Sequence, residues 1–175
     1  MNINRRGLPA AVTVIALSGL VLPACTETTT DPLQSAAGGS TRVTAENPDA
    51  VLQPAAKLAK DTQEAATHDR RQSKLPYIGA WAASAQGCAQ IDQSVYDSFA
   101  VITPTSIRQF EEFCTYSPPP TTSNVHRLNV TCTAEGETSK RVITIEMVNG
   151  QTMRFQNSTP DGRTWEMYRC HLPYS

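Results

Sequence analysis

The sequence predicts an all-β fold: a small antiparallel meander barrel of about seven or eight strands, held by disulfide bonds and preceded by a flexible linker. Short apolar or alternating segments recur after residue 76 with turn residues between them, which is typical of strands joined by hairpins. Every aromatic side chain lies in this part of the chain. A meander of this size loses its exposed edge strands most simply by closing on itself. Residues 77–175 are therefore the predicted barrel domain.

The first three predicted strands precede a proline-rich loop at residues 117–124. Residues 77–81 and 99–102 are short apolar runs of the kind found in strands. Turn residues at 103–106 separate the second run from a third strand at 107–116. The amino-terminal part of the domain is therefore predicted as three strands and one long loop.

Four further strands complete the predicted meander. They share an alternation of apolar and polar residues, and each is bounded by a turn signal, of which Asn149-Gly150 is the strongest. The four strands pass through Leu128, Val130 and Cys132, cover 142–148, pass through Met153 and Phe155, and cover 164–170. The turns between them are at 135–136, 149–150 and 160–162.

The amino terminus has the features of an export signal. Arg5-Arg6 precede an apolar stretch at 8–22, which is too short to cross a hydrocarbon core of ~30 Å as a helix. The run Leu22-Pro23-Ala24-Cys25 then resembles the lipobox of a bacterial lipoprotein. This resemblance implies that residues 1–24 are a signal peptide and that Cys25 becomes the lipidated amino terminus. The alternative is an ordinary secretory signal that leaves Cys25 as a free thiol.

The lipoprotein resemblance also implies a location. Several acyl chains, at ~0.8 kcal/mol per buried methylene, attach a protein lastingly to a membrane. Thr26, rather than aspartate, follows Cys25, which agrees with the sorting of enterobacterial lipoproteins to the outer membrane. We therefore expect a protein anchored by lipid in the bacterial outer membrane, with its domain facing the periplasm.

Residues 25–76 are predicted to be the lipidated cysteine and a flexible linker. They contain no aromatic residue and few large apolar ones, so they cannot bury enough surface to offset the entropy of ordering. Residues 54–72 contain good helix formers, but Leu58 is almost the only large apolar side chain there. A helix in this segment is expected to be marginal and to lack a face that docks.

Four cysteines remain in the domain: Cys88, Cys114, Cys132 and Cys170. An even number of cysteines in a small exported domain indicates two disulfides. Their gaps of 26, 18 and 38 positions contain no close pair of the zinc-binding kind, so no metal site or cofactor is expected. The meander favours Cys88 with Cys170 and Cys114 with Cys132, and the other two connectivities stay open.

Gly79 and Trp81 in the first predicted strand and Arg169 in the last resemble the pattern of the calycins, the superfamily of lipocalins and their smaller relatives. In that family the glycine and tryptophan begin the barrel, and the arginine packs across the indole to close one end. The resemblance implies the same role for Gly79, Trp81 and Arg169, with a cation–π contact between the last two.

Short bacterial calycins are the nearer comparison, above all the periplasmic inhibitors of metalloproteases and related outer-membrane lipoproteins. They are similar in having the G-x-W motif near the start, a cysteine several residues later, here Cys88, and a small barrel. The resemblance implies a non-enzymatic module that binds a protein partner in the cell envelope, either as a protease inhibitor or as an accessory part of an assembly.

Charge and residue spacing exclude other function classes. The formal net charge is −1 and the pI is about 6.3, so no basic surface favours nucleic acid. His68, His126 and His171 are far apart in the predicted topology, and no catalytic residues are predicted. Glu111 and Glu112 are read as one solvated carboxylate and one ion-paired or rim carboxylate rather than an acid–base pair.

The candidate contact with a protein partner is the proline-rich loop with Tyr116, Pro118, Pro119 and Pro120, because a stiff loop loses little entropy on binding. The simpler alternative is that the prolines fix a long connection and the aromatic residues plug the barrel.

A second function class is a carrier of a small apolar ligand in a pocket lined by Trp81, Phe155 and Trp165. Against it, roughly a dozen inward apolar side chains are enough to fill a barrel of this size.

Overall fold

The computed structural model describes residues 46–68, 74–93, 95–120, 123–158 and 162–174. Eight strands form a closed antiparallel barrel in which each strand pairs with the next along the chain, and the last pairs with the first. The strands are β1 Gly79–Ala82, β2 Phe99–Ile102, β3 Ser106–Gln109, β4 Glu112–Tyr116, β5 Val125–Ala134, β6 Glu137–Met147, β7 Thr152–Asn157 and β8 Thr164–Cys170. The predicted all-β meander barrel is confirmed.

The predicted third strand is two strands, β3 and β4, which brings the number to eight. Gln109 pairs with Glu112, so Phe110 and Glu111 form a two-residue turn between them. Glu111 has a φ of 55°, a backbone conformation usually supplied by glycine or asparagine. Neither Phe110 nor Glu111 is typical of a turn, so the sequence predicts one continuous strand across this hairpin.

The other turns lie close to their predicted positions. Glu135 and Gly136 both have positive φ, as a tight two-residue hairpin between β5 and β6 requires. Val148 donates from its backbone N–H to the carbonyl of Thr152 at 3.0 Å and so closes the turn around Asn149-Gly150. Of the predicted turn at 160–162, only Gly162 lies within the described residues.

Side chains fill the interior of the barrel. The inward positions alternate along each strand, and the largest are at most 1% exposed to solvent. Full burial of such a side chain stabilises the fold by roughly 1.5–3 kcal/mol. They include Trp81, Ile102, Ile107, Leu128, Ile143, Ile145, Met153 and Phe155.

A second apolar cluster lies on the outside of the barrel. Residues 46–68, here called the amino-terminal strap, contain a short 3₁₀ turn Ala55–Lys57 and a helix α1 Lys60–Thr67. The strap buries Leu52, Leu58 and Ala65 in a cluster that also contains residues of β1, β2 and β8.

The position of the strap corrects the prediction of a flexible linker over residues 25–76 as far as residues 46–68 are concerned. Helix α1 docks with Thr62 and Ala65 rather than with large apolar residues. Its neighbours on β1 are also small, since Ala80 and Ala82 belong to the same cluster, together with Phe99 and Val101 of β2. Small side chains on α1 and β1 allow close packing, which a search for a large apolar face does not detect. Residues 25–45, with Cys25, lie outside the described residues.

Both predicted disulfides are formed. Cys88 is bonded to Cys170 in the outer cluster, which joins the segment after β1 to the end of β8. Cys114 is bonded to Cys132 across the β4–β5 pair, inside the barrel. Each disulfide is expected to contribute ~2–4 kcal/mol, chiefly by restricting the unfolded chain.

Candidate functional site

One end of the barrel is closed by Arg169. Its guanidinium carbon lies 4.1 Å from the centre of the Trp81 ring, the arrangement that the calycin resemblance implies. The guanidinium also donates to the backbone carbonyls of Ile78 at 2.7 Å and Gly150 at 2.8 Å, and to that of Pro76. Arg169 thereby links the segment before β1 to the β6–β7 turn.

Gly79 leaves the space that this arginine occupies. A Cβ atom at this position would lie 2.5 Å from Nη1 of Arg169 and 3.3 Å from the indole nitrogen of Trp81. That nitrogen donates to the carbonyl of Tyr77 at 2.9 Å. The glycine, the indole and the guanidinium are therefore packed as one unit.

A buried polar cluster lies inside the closed end. His126 is fully buried, its ring centre is 4.6 Å from that of Tyr77, and neither ring nitrogen has a hydrogen-bond partner. Burial lowers the pKa of His126 below its ordinary value of 6.5. The Tyr116 hydroxyl donates to the carbonyl of Thr103 at 2.6 Å, and burial raises the pKa of Tyr116.

This position of Tyr116 corrects its predicted role as a partner contact. Its side chain is 7% exposed and points into the barrel, because residues alternate along β4 and Cys114 also faces inward. Pro118 and Pro120 are exposed in the loop that follows, and Pro119 is half-buried. The structure therefore leaves the proline loop accessible but separates it from Tyr116.

The opposite end of the barrel is open. A groove of about 560 Å³ lies between the tips of the β3–β4 and β5–β6 hairpins, and we call it the acidic groove. Its lining residues are Asp97, Gln109, Phe110, Glu111, Glu112, Ala134, Glu135, Glu137, Thr138, Ser139 and Asn157.

Only part of the negative charge in the acidic groove is neutralised. Glu112 forms a two-point ion pair with Arg141, in which Nη1 donates to Oε1 at 2.7 Å. Glu111 is exposed, so the expected pair of one solvated and one ion-paired carboxylate is confirmed. Glu135 and Glu137 are also exposed, and within the described ranges neither they nor Glu111 form an ion pair.

A second groove, of about 420 Å³, adjoins the first, and we call it the aromatic groove. Phe110 and Phe113 line it and are 36% and 46% exposed, although each is a large apolar side chain. Tyr96 and Phe99 form another part of its lining. Arg108 also lies there, but it forms ion pairs with Asp61 and Asp92.

Asn157 borders the acidic groove with an unsatisfied polar atom. Its side chain is 8% exposed, and its Oδ1 atom is buried without a hydrogen-bond partner. Its amide nitrogen donates to Oε1 of Gln109 at 3.4 Å. A buried acceptor without a partner is destabilising, and such an atom beside a groove is a candidate ligand contact.

A smaller cavity of about 280 Å³ opens at the same end. Phe155, Met167 and Trp165 line it, and Arg163 and Asp97 lie at its polar side. Trp81 is not among its lining residues, because it packs under Arg169 at the closed end. The structure therefore brings together two of the three residues of the predicted apolar pocket.

Within the described part of the chain, Glu112, Cys114 and Cys132 are the one group with the ligand spacing of a metal site. The two sulfur atoms are bonded to each other, and the carboxylate is paired with Arg141. None of the three therefore offers a free ligand. In the described ranges, no helix combines the length and apolar composition needed to cross a membrane.

No protein-family model, curated protein or solved structure matches this chain. The function is therefore inferred from the geometry of the closed and open ends of the barrel. The sequence reading missed Phe110, Phe113 and Asn157, because a continuous third strand hides the turn that exposes Phe110. A positive-φ turn without glycine has no sequence signal that would have revealed it.

Proposed function

We propose that this protein is a lipoprotein of the bacterial outer membrane, anchored through Cys25, whose barrel is a non-enzymatic module that binds a protein partner in the cell envelope. Inhibition of a protease and an accessory role in an envelope assembly are both forms of this function. The observation that carries the proposal is the filled interior, since Trp81, Ile107, Ile145 and Phe155 are fully buried. A barrel with a solid core offers its outer surface, rather than a cavity, to a partner.

The disulfides support an extracytoplasmic location. Four buried cysteines form two bonds, and such bonds persist in the periplasm but are rare in the cytosol. The lipobox-like run at 22–25 supports attachment to a membrane.

The described chain begins at the closed end of the barrel. Residues 46–52 lie there, where Val51 bridges to His171 and the His171 ring contacts the carbonyl of Asn47 at 2.9 Å. The strap therefore does not cover the acidic groove at the open end with these residues.

The anchor is tested by maturation in a bacterial host. We expect globomycin to cause accumulation of the full precursor, radiolabelled palmitate to enter the wild-type protein, and Cys25→Ser to abolish the label. A mature protein that forms normally in globomycin without incorporating palmitate would refute the anchor.

The binding function is tested by crosslinking in intact cells. Photoreactive residues are placed at position 113 in the aromatic groove, at position 118 in the proline loop and, as a control, at position 64 on the exposed face of α1. We expect a discrete protein adduct from position 113 or 118 and none from position 64. The absence of any adduct at the first two positions would contradict a protein-binding module.

The apolar cavity at the open end favours a second candidate function, the carriage of a small apolar ligand. Its volume of about 280 Å³ is close to the lower limit of ordinary ligand pockets, ~300 Å³. Native mass spectrometry of the purified protein distinguishes the two functions. A retained lipid that is lost in Trp165→Ala supports the carrier, and a protein free of ligand supports the binding module.

A further inference from the structure

We infer that the open end of the barrel docks a positively charged peptide segment of the partner, and that this segment inserts aromatic or aliphatic side chains beside Phe110 and Phe113. This inference rests on the proposed binding function and names the chemistry of the partner. It depends on charge, exposed apolar area and an unsatisfied buried amide oxygen at the open end.

The charge of the open end indicates the charge of the partner segment. Glu111, Glu135 and Glu137 are exposed around the acidic groove and have no ion-pair partner among the described residues. Arg141 is neutralised by Glu112 and Arg108 by two aspartates, and the other cationic residues near this end, Lys140 and Arg163, are fewer than the carboxylates Asp97, Glu111, Glu135 and Glu137. The remaining field is negative, so it attracts lysine and arginine side chains and repels an acidic segment.

The exposed phenylalanines give the apolar contact. Phe110 and Phe113 are large aromatic residues exposed at the open end, and both line the aromatic groove. Aromatic residues that are half-exposed beside a groove are typical centres of protein interfaces. The β3–β4 turn carries Phe110 and Glu111 side by side, so one docked segment can meet both an apolar and an acidic contact.

Asn157 lies at the border of the acidic groove. Its Oδ1 atom is buried and has no partner, so a donor from the docked segment would satisfy it. This atom is a second sign of a ligand, independent of the carboxylates. A divalent cation held by the carboxylates is the competing occupant, but it would leave the exposed phenylalanines unused.

The test measures binding of synthetic peptides to the purified full chain. Three N-acetylated nine-residue peptides are compared: alternating Lys and Phe, alternating Lys and Ser, and alternating Glu and Phe. We expect the Lys/Phe peptide to bind, the Glu/Phe peptide not to bind, and the Lys/Ser peptide to bind at least about tenfold more weakly, which corresponds to about 1.4 kcal/mol.

Variants locate the binding. The triple variant Glu111→Gln, Glu135→Gln, Glu137→Gln is expected to weaken Lys/Phe binding about tenfold or more. Its matched control, Asp49→Asn, Glu64→Gln, Glu166→Gln, changes the net charge equally at exposed positions away from the groove and is expected to have little effect.

Phe110→Ala with Phe113→Ala is expected to weaken binding similarly. Val125→Ala with Val148→Ala, also at exposed apolar positions but at the closed end, is not expected to weaken it. Thermal unfolding of every variant checks that the fold is kept.

Several outcomes would overturn the inference. They are equal binding of the Lys/Phe and Lys/Ser peptides, equal weakening by the two triple variants, and no binding of any peptide. Thermal stabilisation by CaCl₂ that the glutamate triple variant abolishes, together with competition between calcium and the peptide, would assign the groove to a cation instead.

Crosslinking separates this inference from the proposed function. A protein adduct from position 118 with none from position 113 would keep the binding module and reject the open end as its contact. No adduct at either position would reject both.

Discussion

Arg169 shows how one side chain holds several parts of a fold together. It is 5% exposed, lies over Trp81 and donates to three backbone carbonyls from two separate segments. A buried guanidinium is tolerated because hydrogen bonds and a ring face replace its hydration. The planar fork of arginine makes all these contacts at once, which the single ammonium of lysine does not.

We therefore predict that both Arg169→Leu and Arg169→Lys destabilise the barrel, by about 3 kcal/mol for leucine, because buried carbonyls lose their donors. Urea denaturation followed by tryptophan fluorescence measures the change. The control is Arg154→Lys, at an exposed arginine paired with Glu146, which is expected to change stability by less than about 0.5 kcal/mol. An Arg169→Lys variant as stable as wild type would show that the several donors of the planar guanidinium are not needed.

His126 makes stability depend on pH. Its pKa is lowered in the folded protein by burial, whereas the unfolded chain has the ordinary value of 6.5. As the pH falls below 6.5, the unfolded state takes up a proton that the folded state does not. The unfolded state is then favoured, so stability is lost as the pH falls from 6.5 through the folded pKa.

We predict that His126→Leu removes this loss and raises the free energy of unfolding by about 1–3 kcal/mol, because both unsatisfied ring nitrogens disappear. Urea denaturation over about pH 5.5 to 7.5 tests it, below and above the ordinary histidine pKa. Met153→Leu, a substitution of another buried residue that carries no titratable group, is the control and is expected to keep the wild-type slope. If the free energy of unfolding of His126→Leu changes with pH as much as that of wild type, other groups cause the pH dependence.

Residue-scale predictions succeeded where chemistry restricts a side chain to few environments. Four cysteines in the domain predict two disulfides, and the meander favours the pairing that is formed. Tyr116 shows the limit. A tyrosine suits a protein interface and a barrel interior equally well, and the alternation of β4, which decides between them, is uncertain until the strand boundary at Glu112 is known.

The amino-terminal strap shows how an element without a large apolar face is held. Arg108 on β3 donates to Asp61 at 2.6 Å, to Asp92 at 2.7 Å and to the Thr62 hydroxyl at 2.7 Å. Asp92 also accepts from the backbone N–H of Ala59 at 2.8 Å, just before α1 begins. These bonds tie the helix to the barrel where its small side chains contribute little apolar area.

We predict that Arg108→Ala loosens the strap while the barrel stays folded. Asp92, with a side chain that is 8% exposed, loses its charged partner, so the cost is about 1–3 kcal/mol. Hydrogen exchange is expected to rise in α1 and to stay low in β5 and β6. Arg127→Ala, at an exposed position on β5, is the control. Equal protection of α1 in both variants would show that apolar packing alone holds the strap.

Prediction of elements failed where the deciding contact is distant in sequence. Arg108 and Asp61 are separated by 47 positions, so no local pattern reveals that α1 has a docking surface. The turn at Phe110-Glu111 failed for the opposite reason. It is local, but its residues do not favour turns, and the pairing of β3 with β4 imposes the conformation.

The two disulfides act on the whole molecule in different ways. The Cys88–Cys170 bond spans 82 positions and the Cys114–Cys132 bond spans 18. In the chain-entropy model, the longer loop restricts the unfolded chain more, by about 1 kcal/mol. The long bond also joins the segment after β1 to the end of β8, and these two strands are the pair that closes the barrel.

We predict that replacing Cys88 and Cys170 by alanine destabilises the protein more than replacing Cys114 and Cys132, provided that core packing changes similarly in both. Urea denaturation of the two double variants, with and without dithiothreitol, gives the comparison. Dithiothreitol is expected to destabilise wild type at least as much as either pair of substitutions. A larger loss for the Cys114 and Cys132 pair would show that packing inside the barrel outweighs chain entropy.

For the whole molecule, the sequence predicted the architecture but not the surface that the architecture presents. The barrel follows from periodicity and turn residues, which are local signals summed along the chain. The grooves of the open end arise from the tips of hairpins that are distant in sequence, at Glu111 and Glu135. Their relative position depends on strand register, which a pattern of alternation leaves undetermined.

The two-residue turns at the open end, 110–111 and 135–136, carry none of the fully buried side chains. Changes to these tips are therefore expected to cost little folding energy. In related chains the same barrel could display different tips and so recognise different molecules, much as variable loops do on a constant antibody framework.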